Sequence, residues 1–196
     1  MSLWIGERGL IVIFSEQKVA QMAAYFLQRR GGRMAYIKLM KLLYLADRES
    51  MDRYSSPISH DSHVSMAQGP VLSATLNLIT GQIQSPIWRS WVTSEAQFEV
   101  SLTRGPTDIE ELDELSDADI EIMDHVWDQF GRMKRWELVD YTHDHLPEWI
   151  DPGRSSTPIN PRAVFRALGK DENQAEALAR ELFERKSLGR AVSELI

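Results

Sequence analysis

The chain has 196 residues, 43% of them hydrophobic and 26% charged, which excludes a disordered tail and allows one ordinary core with an appendage of a few dozen residues. With no cysteine, disulfides, thiolate metal sites and thiol nucleophiles are excluded, and nothing points to an oxidising compartment. A net charge of −7 and a pI near 5.3 argue against a general nucleic-acid binder, whose affinity rests on positive surface that releases counterions. A basic partner suits the chain better.

In chain order, the apolar stretch Leu10 to Phe14 is too short for a membrane span and carries no small-residue cleavage site, so the expectation is a cytoplasmic protein with no membrane role. Ser15 reads as a helix N-cap, and Val19, Met22, Ala23, Phe26 and Leu27 then share one helical face that ends at Gly31-Gly32. From Met34 to Met51 the apolar residues cover most of a helix circumference, leaving Lys38, Lys41, Arg48 and Glu49 as the expected wet side of a central helix. Pro57 breaks that pattern, and Ser59 to Ser65 reads as a loop or short edge strand. Gly69-Pro70 predicts the start of a third helix, with Val71, Leu72, Thr75, Leu76 and Ile79 inward and Gly81 past its end.

Between Ile87 and Leu102 the period changes to two, which predicts a small β-hairpin of strands 87–92 and 98–102 around a polar turn at 93–96. The chain turns acidic from Gly105, and Ser116 with Asp119 forms a capping-box start to a helix carrying Ile120, Met123, Trp127 and Phe130, ended by Gly131. A short helix with Trp136, Val139, His143 and Leu146 on one stripe stops at Pro147. Asp151 to Asn160, rich in Pro, Ser and Gly, is the candidate linker. Asn160-Pro161 then caps a helix ending at Gly169, and Asp171 with Gln174 opens a last helix, striped by Ala175, Leu178, Leu182, Gly189, Val192 and Ile196 and interrupted by Arg185.

The histidines flank carboxylates in His60-Asp61-Ser62-His63 and His143-Asp144-His145. Positions three apart on a strand face opposite ways, and positions two apart on a helix lie about 200° apart, so neither pair forms a metal clip. His143 is expected to pack on its apolar stripe and bond a backbone group, with His145 exposed. No Gly-x-Ser-x-Gly, phosphate loop or His-Glu-x-x-His pattern is present; no catalytic residue, metal or cofactor is expected.

Residues 108–128 hold ten carboxylates and no Lys or Arg. They read either as a solvated loop and helix face or as an electrostatic surface that speeds encounter with a basic partner. On the second reading Glu110, Glu111, Asp113 and Glu114 are candidate partner-binding residues. Trp88 and Trp91, three apart on the expected strand and so on opposite faces, are candidate anchors, while Trp127 and Trp136 are expected in the core. Leu178 and Leu182, on the terminal stripe, are candidates for contact with the partner or with a second copy of the chain.

Three runs together, Lys38-Leu39-Met40-Lys41-Leu42-Leu43-Tyr44-Leu45-Ala46, then Ala67-Gln68-Gly69-Pro70-Val71, then Leu138 to Trp149 with Thr142-His143 and Trp149, resemble the Panacea, or SocA-like, antitoxin domain over about residues 15–150. The resemblance implies a mostly helical domain with a small β element that neutralises a toxin encoded beside it by direct binding. It also implies structural roles for Leu39, Leu42, Leu43, Tyr44, Gly69, Pro70 and His143, and makes 151–196 a linker and C-terminal helical extension. The expected fold is mainly α, a compact helical domain with a small β-hairpin and that extension, and homo-oligomerisation is possible. Two alternatives stay open: a DNA-binding regulator of its own operon using Arg29, Arg30, Arg33, Lys38 and Lys41, and a small hydrolase using His143 and Asp144.

Overall fold

The structure, a computed structural model, describes residues 13–104 and 108–193; Leu10 to Val12, Gly105 and Ile196 lie outside the described residues. Helix α1 (Glu16–Arg29) starts where Ser15 accepts a hydrogen bond from the Lys18 amide, and Val19 to Leu27 is buried without interruption. A three-residue strand β1 (Arg33–Ala35) leads into α2 (Tyr36–Tyr54), whose residues from Ile37 to Asp47 are all buried. An apolar run of that width predicts a helix packed on several sides, and α2 is packed by α1, α5 (Asp117–Phe130), α6 (Arg135–His145) and α7 (Pro161–Ala167). The expected wet side is corrected at two positions, since Lys38 and Lys41 are 4% and 0% exposed.

Strands β2 (His63–Met66) and β3 (Gly69–Leu72) form an antiparallel hairpin, and α3 (Ser73–Ile79) follows. The helix predicted to have Pro70 at its first position therefore begins three residues later. Gly69 has φ +95°, and a Cβ there would lie 2.6 Å from Thr142 Oγ1 and 2.9 Å from Lys41 Cε, so the glycine serves a close approach of strand to helices rather than a helix start. Pro70 fits because β3 is an edge strand in the order β3-β2-β6, β6 being Thr157–Pro158. The expected linker thus supplies a strand, and β2, expected as a loop or edge, is the middle strand of three.

Helix α4 (Pro86–Trp91) replaces the first strand of the predicted hairpin. Ser85 caps the Trp88 amide and Pro86 occupies the first turn. The hairpin is real but shifted: β4 (Val92–Glu95) pairs with β5 (Glu99–Leu102), and β5 with β1, giving the sheet order β1-β5-β4. Helix α5 opens with the expected capping box of Ser116 and Asp119. At its end Gly131 is helical, and a Cβ there would meet the Trp127 ring at 2.5 Å. Helix α6 buries Leu138, Val139 and Thr142 while Trp136 is 50% exposed, so its inward stripe is turned from the expected one and Trp136 is not in the core.

Helix α7, capped by Asn160, packs on α8 (Glu172–Ser193), which opens with reciprocal bonds between Asp171 and Gln174. Ile159, Val164, Phe165 and Ala175 belong to the same buried cluster as α1 and α2, and Leu178 and Leu182 pack against it. The architecture is mainly helical, as expected, with two small antiparallel sheets in place of one hairpin. No helix among the described residues is long and apolar enough to cross a membrane.

Candidate partner-binding surfaces

Polar side chains at helical spacing on α2 tie the central helix to four other parts of the chain. Lys38 Nζ donates to the carbonyls of Gly131 and Met133 at 2.7 and 2.6 Å, holding the α5–α6 turn. Lys41 Nζ donates to the Pro70 carbonyl at 2.8 Å, holding the β2–β3 hairpin. Tyr44 Oη donates to Glu148 Oε1 at 3.1 Å and Arg48 Nε meets the same oxygen at 2.6 Å, holding the segment after α6. Asp47, fully buried, accepts from the Ser59 amide at 2.8 Å, from the Ser59 hydroxyl, and meets His63 Nε2 at 2.9 Å. Polar groups taken into a core must be bonded, and these bonds fix where each element sits.

Burial depresses the Lys41 ammonium to about 7, and burial with the nearby Arg30 charge lowers Lys38. Burial, then the Glu148 carboxylate, raises the Tyr44 phenol well above its ordinary value. Thr142 lies against Gly69, Trp149 Nε1 donates to the Met66 carbonyl at 3.0 Å, and the His143 ring stacks on Trp149 at 4.0 Å. The expected backbone bond of His143 is corrected: its buried Nε2 has no hydrogen-bond partner among the described residues.

The acidic segment before α5 is fixed from below. Leu112 is 5% exposed, and the buried Gln21 side chain donates to Asp113 Oδ1 at 2.6 Å and accepts from the Glu114 amide at 2.9 Å. Glu110, Glu111 and Asp113 are exposed and Glu114 half-buried. Farther along the run the carboxylates pair with α1 and α2: Asp119 with Lys18, Glu121 with Arg53, and Asp124 and Asp128 with Arg29. No cation among the described residues pairs with Glu110, Glu111, Asp113 or Glu114.

Of the α2 residues that make these contacts, Lys41, Tyr44, Asp47 and Arg48 lie with their partners in residues 39–150, the part of the chain that matches the family model described as antitoxin SocA-like, Panacea domain, and Lys38 stands just before it. The chain belongs to the SocA-like Panacea antitoxin family. No curated protein and no solved structure matches it. The Panacea match takes in α2 from Leu39 through Trp149 and Ile150, so the hairpin, Thr142 and Glu148 are inside it, while α1 and everything after Ile150 lie outside.

Within this Panacea chain the other candidate residues differ from the acidic segment in burial. Trp88 and Trp91 are 2% and 6% exposed on helix α4, so both face the chain's own core, and the expectation that they lie on opposite faces of a strand is corrected. Leu178 and Leu182 on α8 are half-buried against the core. The basic set of the DNA-binding alternative is dispersed: Lys38 and Lys41 are buried, Arg29 pairs with Asp124 and Arg33 with Glu99. Sequence reading missed Gln21, Asp47, Asp61 and Glu148, polar residues whose partners lie 12 to 104 positions away; only the location of Gln21, Asp47 and Glu148 beside apolar runs signalled them.

Proposed function

We propose that the chain is the antitoxin of a toxin–antitoxin pair and neutralises its toxin in the cytoplasm by direct protein–protein binding. Panacea membership carries this reading. The acidic segment supports its finer form, in which Glu110, Glu111, Asp113 and Glu114 meet a basic surface on the toxin. Uncompensated carboxylates on a loop clamped by Gln21 and Leu112 form a fixed negative patch, and such a patch speeds encounter and rejects like-charged partners. A toxin acting on RNA or nucleotides needs a positive site of its own, which gives the patch a target.

Trp88 and Trp91 are buried and Leu178 and Leu182 pack against the chain's own core, so the exposed acids, rather than these four apolar residues, carry the finer form of the reading. The test is growth: co-expression with the product of the adjacent gene should relieve that product's toxicity. Relief that survives Lys at Glu110, Glu111, Asp113 and Glu114 would place the contact elsewhere; no relief by the parent chain would end the antitoxin reading.

A further inference from the structure

The turn between β4 and β5 departs from what a hairpin loop demands. Glu95 pairs with Glu99, leaving Ala96, Gln97 and Phe98 as a three-residue loop, where glycine or asparagine normally takes any left-handed position. Gln97 and Phe98 both have φ +62°. A bulky side chain in that region is an outlier that costs stability, and the strain is not repaid by burial, because Phe98 is 75% exposed. Its ring leans toward Tyr36 at 6.2 Å between centroids.

Phe98 stands over a groove of about 920 Å³ whose lining includes Arg30, Arg33, Lys38, Lys134 and Arg135 against one carboxylate, Glu99. Lys38 is used up on two carbonyls and Arg33 is held by Glu99. Lys134 is 86% exposed in its side chain and 3.9 Å from Glu137. Arg30 and Arg135 have no carboxylate partner among the described residues, and the Arg135 guanidinium lies 5.3 Å over the half-exposed Trp136 ring. On a chain of net charge −7 this is a basic groove with an apolar post and an Arg–Trp edge. None of its lining belongs to the acidic segment.

We propose that this groove docks an acidic protein segment, an apolar residue of that segment packing on Phe98 while Arg30, Arg135 and Lys134 take the flanking carboxylates. Arginine and aromatic side chains are the residues that anchor protein contacts, and a guanidinium matches a carboxylate with two parallel bonds. Single-stranded nucleic acid would need a longer run of phosphate contacts than these few cations give, against the field of an acidic protein. The site is independent of the toxin reading, since its partner carries the opposite charge.

The test uses the full chain and a fluorescein-labelled, C-terminally amidated peptide of one leucine between two pairs of glutamates, read by anisotropy, with a thymidine pentanucleotide, whose four phosphates match the four glutamates, as competitor. The peptide should bind at sub-millimolar concentration, and Arg30→Glu with Arg135→Glu should weaken it at least tenfold. Phe98→Gly should also weaken it at least tenfold while holding or raising the melting temperature, because glycine relieves the left-handed strain. Peptide binding that both variants leave intact, no binding at millimolar peptide, or tighter binding of the pentanucleotide would overturn the proposal. So would a lower melting temperature of Phe98→Gly, which would make Phe98 a stability residue.

Discussion

Lys41 shows how one buried charge sets the pH behaviour of the fold. Below pH 7 it is protonated in both folded and unfolded chains, and folding bears the full cost of burying the ammonium. Between its folded value of about 7 and its unfolded 10.5, only the unfolded chain keeps the proton, so stability rises with pH across that window. Lys41→Met should remove that rise, which is about 2 kcal/mol between pH 7 and 9 by the free energy per pKa unit, as read from urea midpoints. His60, depressed to about 4 mainly by burial, acts lower down: stability falls as pH drops from 6.5 toward 4. Parallel parent and Lys41→Met curves above pH 7 would show that Lys41 deprotonates at the same pH in both states.

Gly69 gives a second residue-scale prediction. Its positive φ and the 2.6 Å approach of Thr142 Oγ1 leave no room for a methyl group, so Gly69→Ala should cost about 2 kcal/mol or more through strain and displacement of the Lys41–Pro70 bond. Calorimetry on the variant checks this, and an unchanged melting temperature would mean that the hairpin shifts freely. In the sequence Gly69-Pro70 looked like a helix start because the local signal is the same. What starts α3 is Asp61, whose carboxylate accepts from the Ala74 and Thr75 amides, a cap from 13 and 14 positions away. The burial of Lys38 and Lys41 was hidden for a related reason: their acceptors are backbone carbonyls of other elements, which have no sequence signature.

At the scale of elements, local caps were the legible part. Ser15, Ser116, Asn160 and Asp171 each start a helix where the sequence placed one. Ser85-Pro86 starts α4 in the same way, and the first strand of the expected hairpin was placed five residues too early while the second lies within one residue of β5. Of the candidate surfaces, the acidic segment was legible from charge alone, but its clamp by Gln21 was not, since a glutamine on a helix face looks solvated. Reversing Glu110, Glu111, Asp113 and Glu114 to Lys should slow association with the toxin and flatten its salt dependence while the melting temperature holds, because exposed rim charges act mainly on the on-rate. Stopped-flow rates at two ionic strengths that match the parent would make the segment a solvated face only.

The C-terminal elements raise a different expectation. With Ile159, Val164, Phe165 and Ala175 in the common core, deleting 155–196 uncovers apolar surface on α2 and removes β6 from the second sheet. The melting temperature should fall by 10 °C or more, on the order of several kcal/mol of lost burial. A truncated chain that melts with the parent would mean that 151–196 is a separable extension, as the sequence suggested.

For the whole molecule, the polar stripe of α2 ties the α5–α6 turn, the β2–β3 hairpin and the segment after α6 to one helix, and Gln21 of α1 holds the acidic segment. A segment already held in place binds without the cost of being ordered on contact. The central claim is that neutralisation is physical capture. The most direct measurement is the mass of the purified chain mixed with the purified, catalytically disabled product of the adjacent gene, by light scattering coupled to gel filtration. The account predicts a single stoichiometric complex that dissociates when salt is raised. Two species eluting at their separate masses, under conditions where co-expression still relieves toxicity, would contradict it.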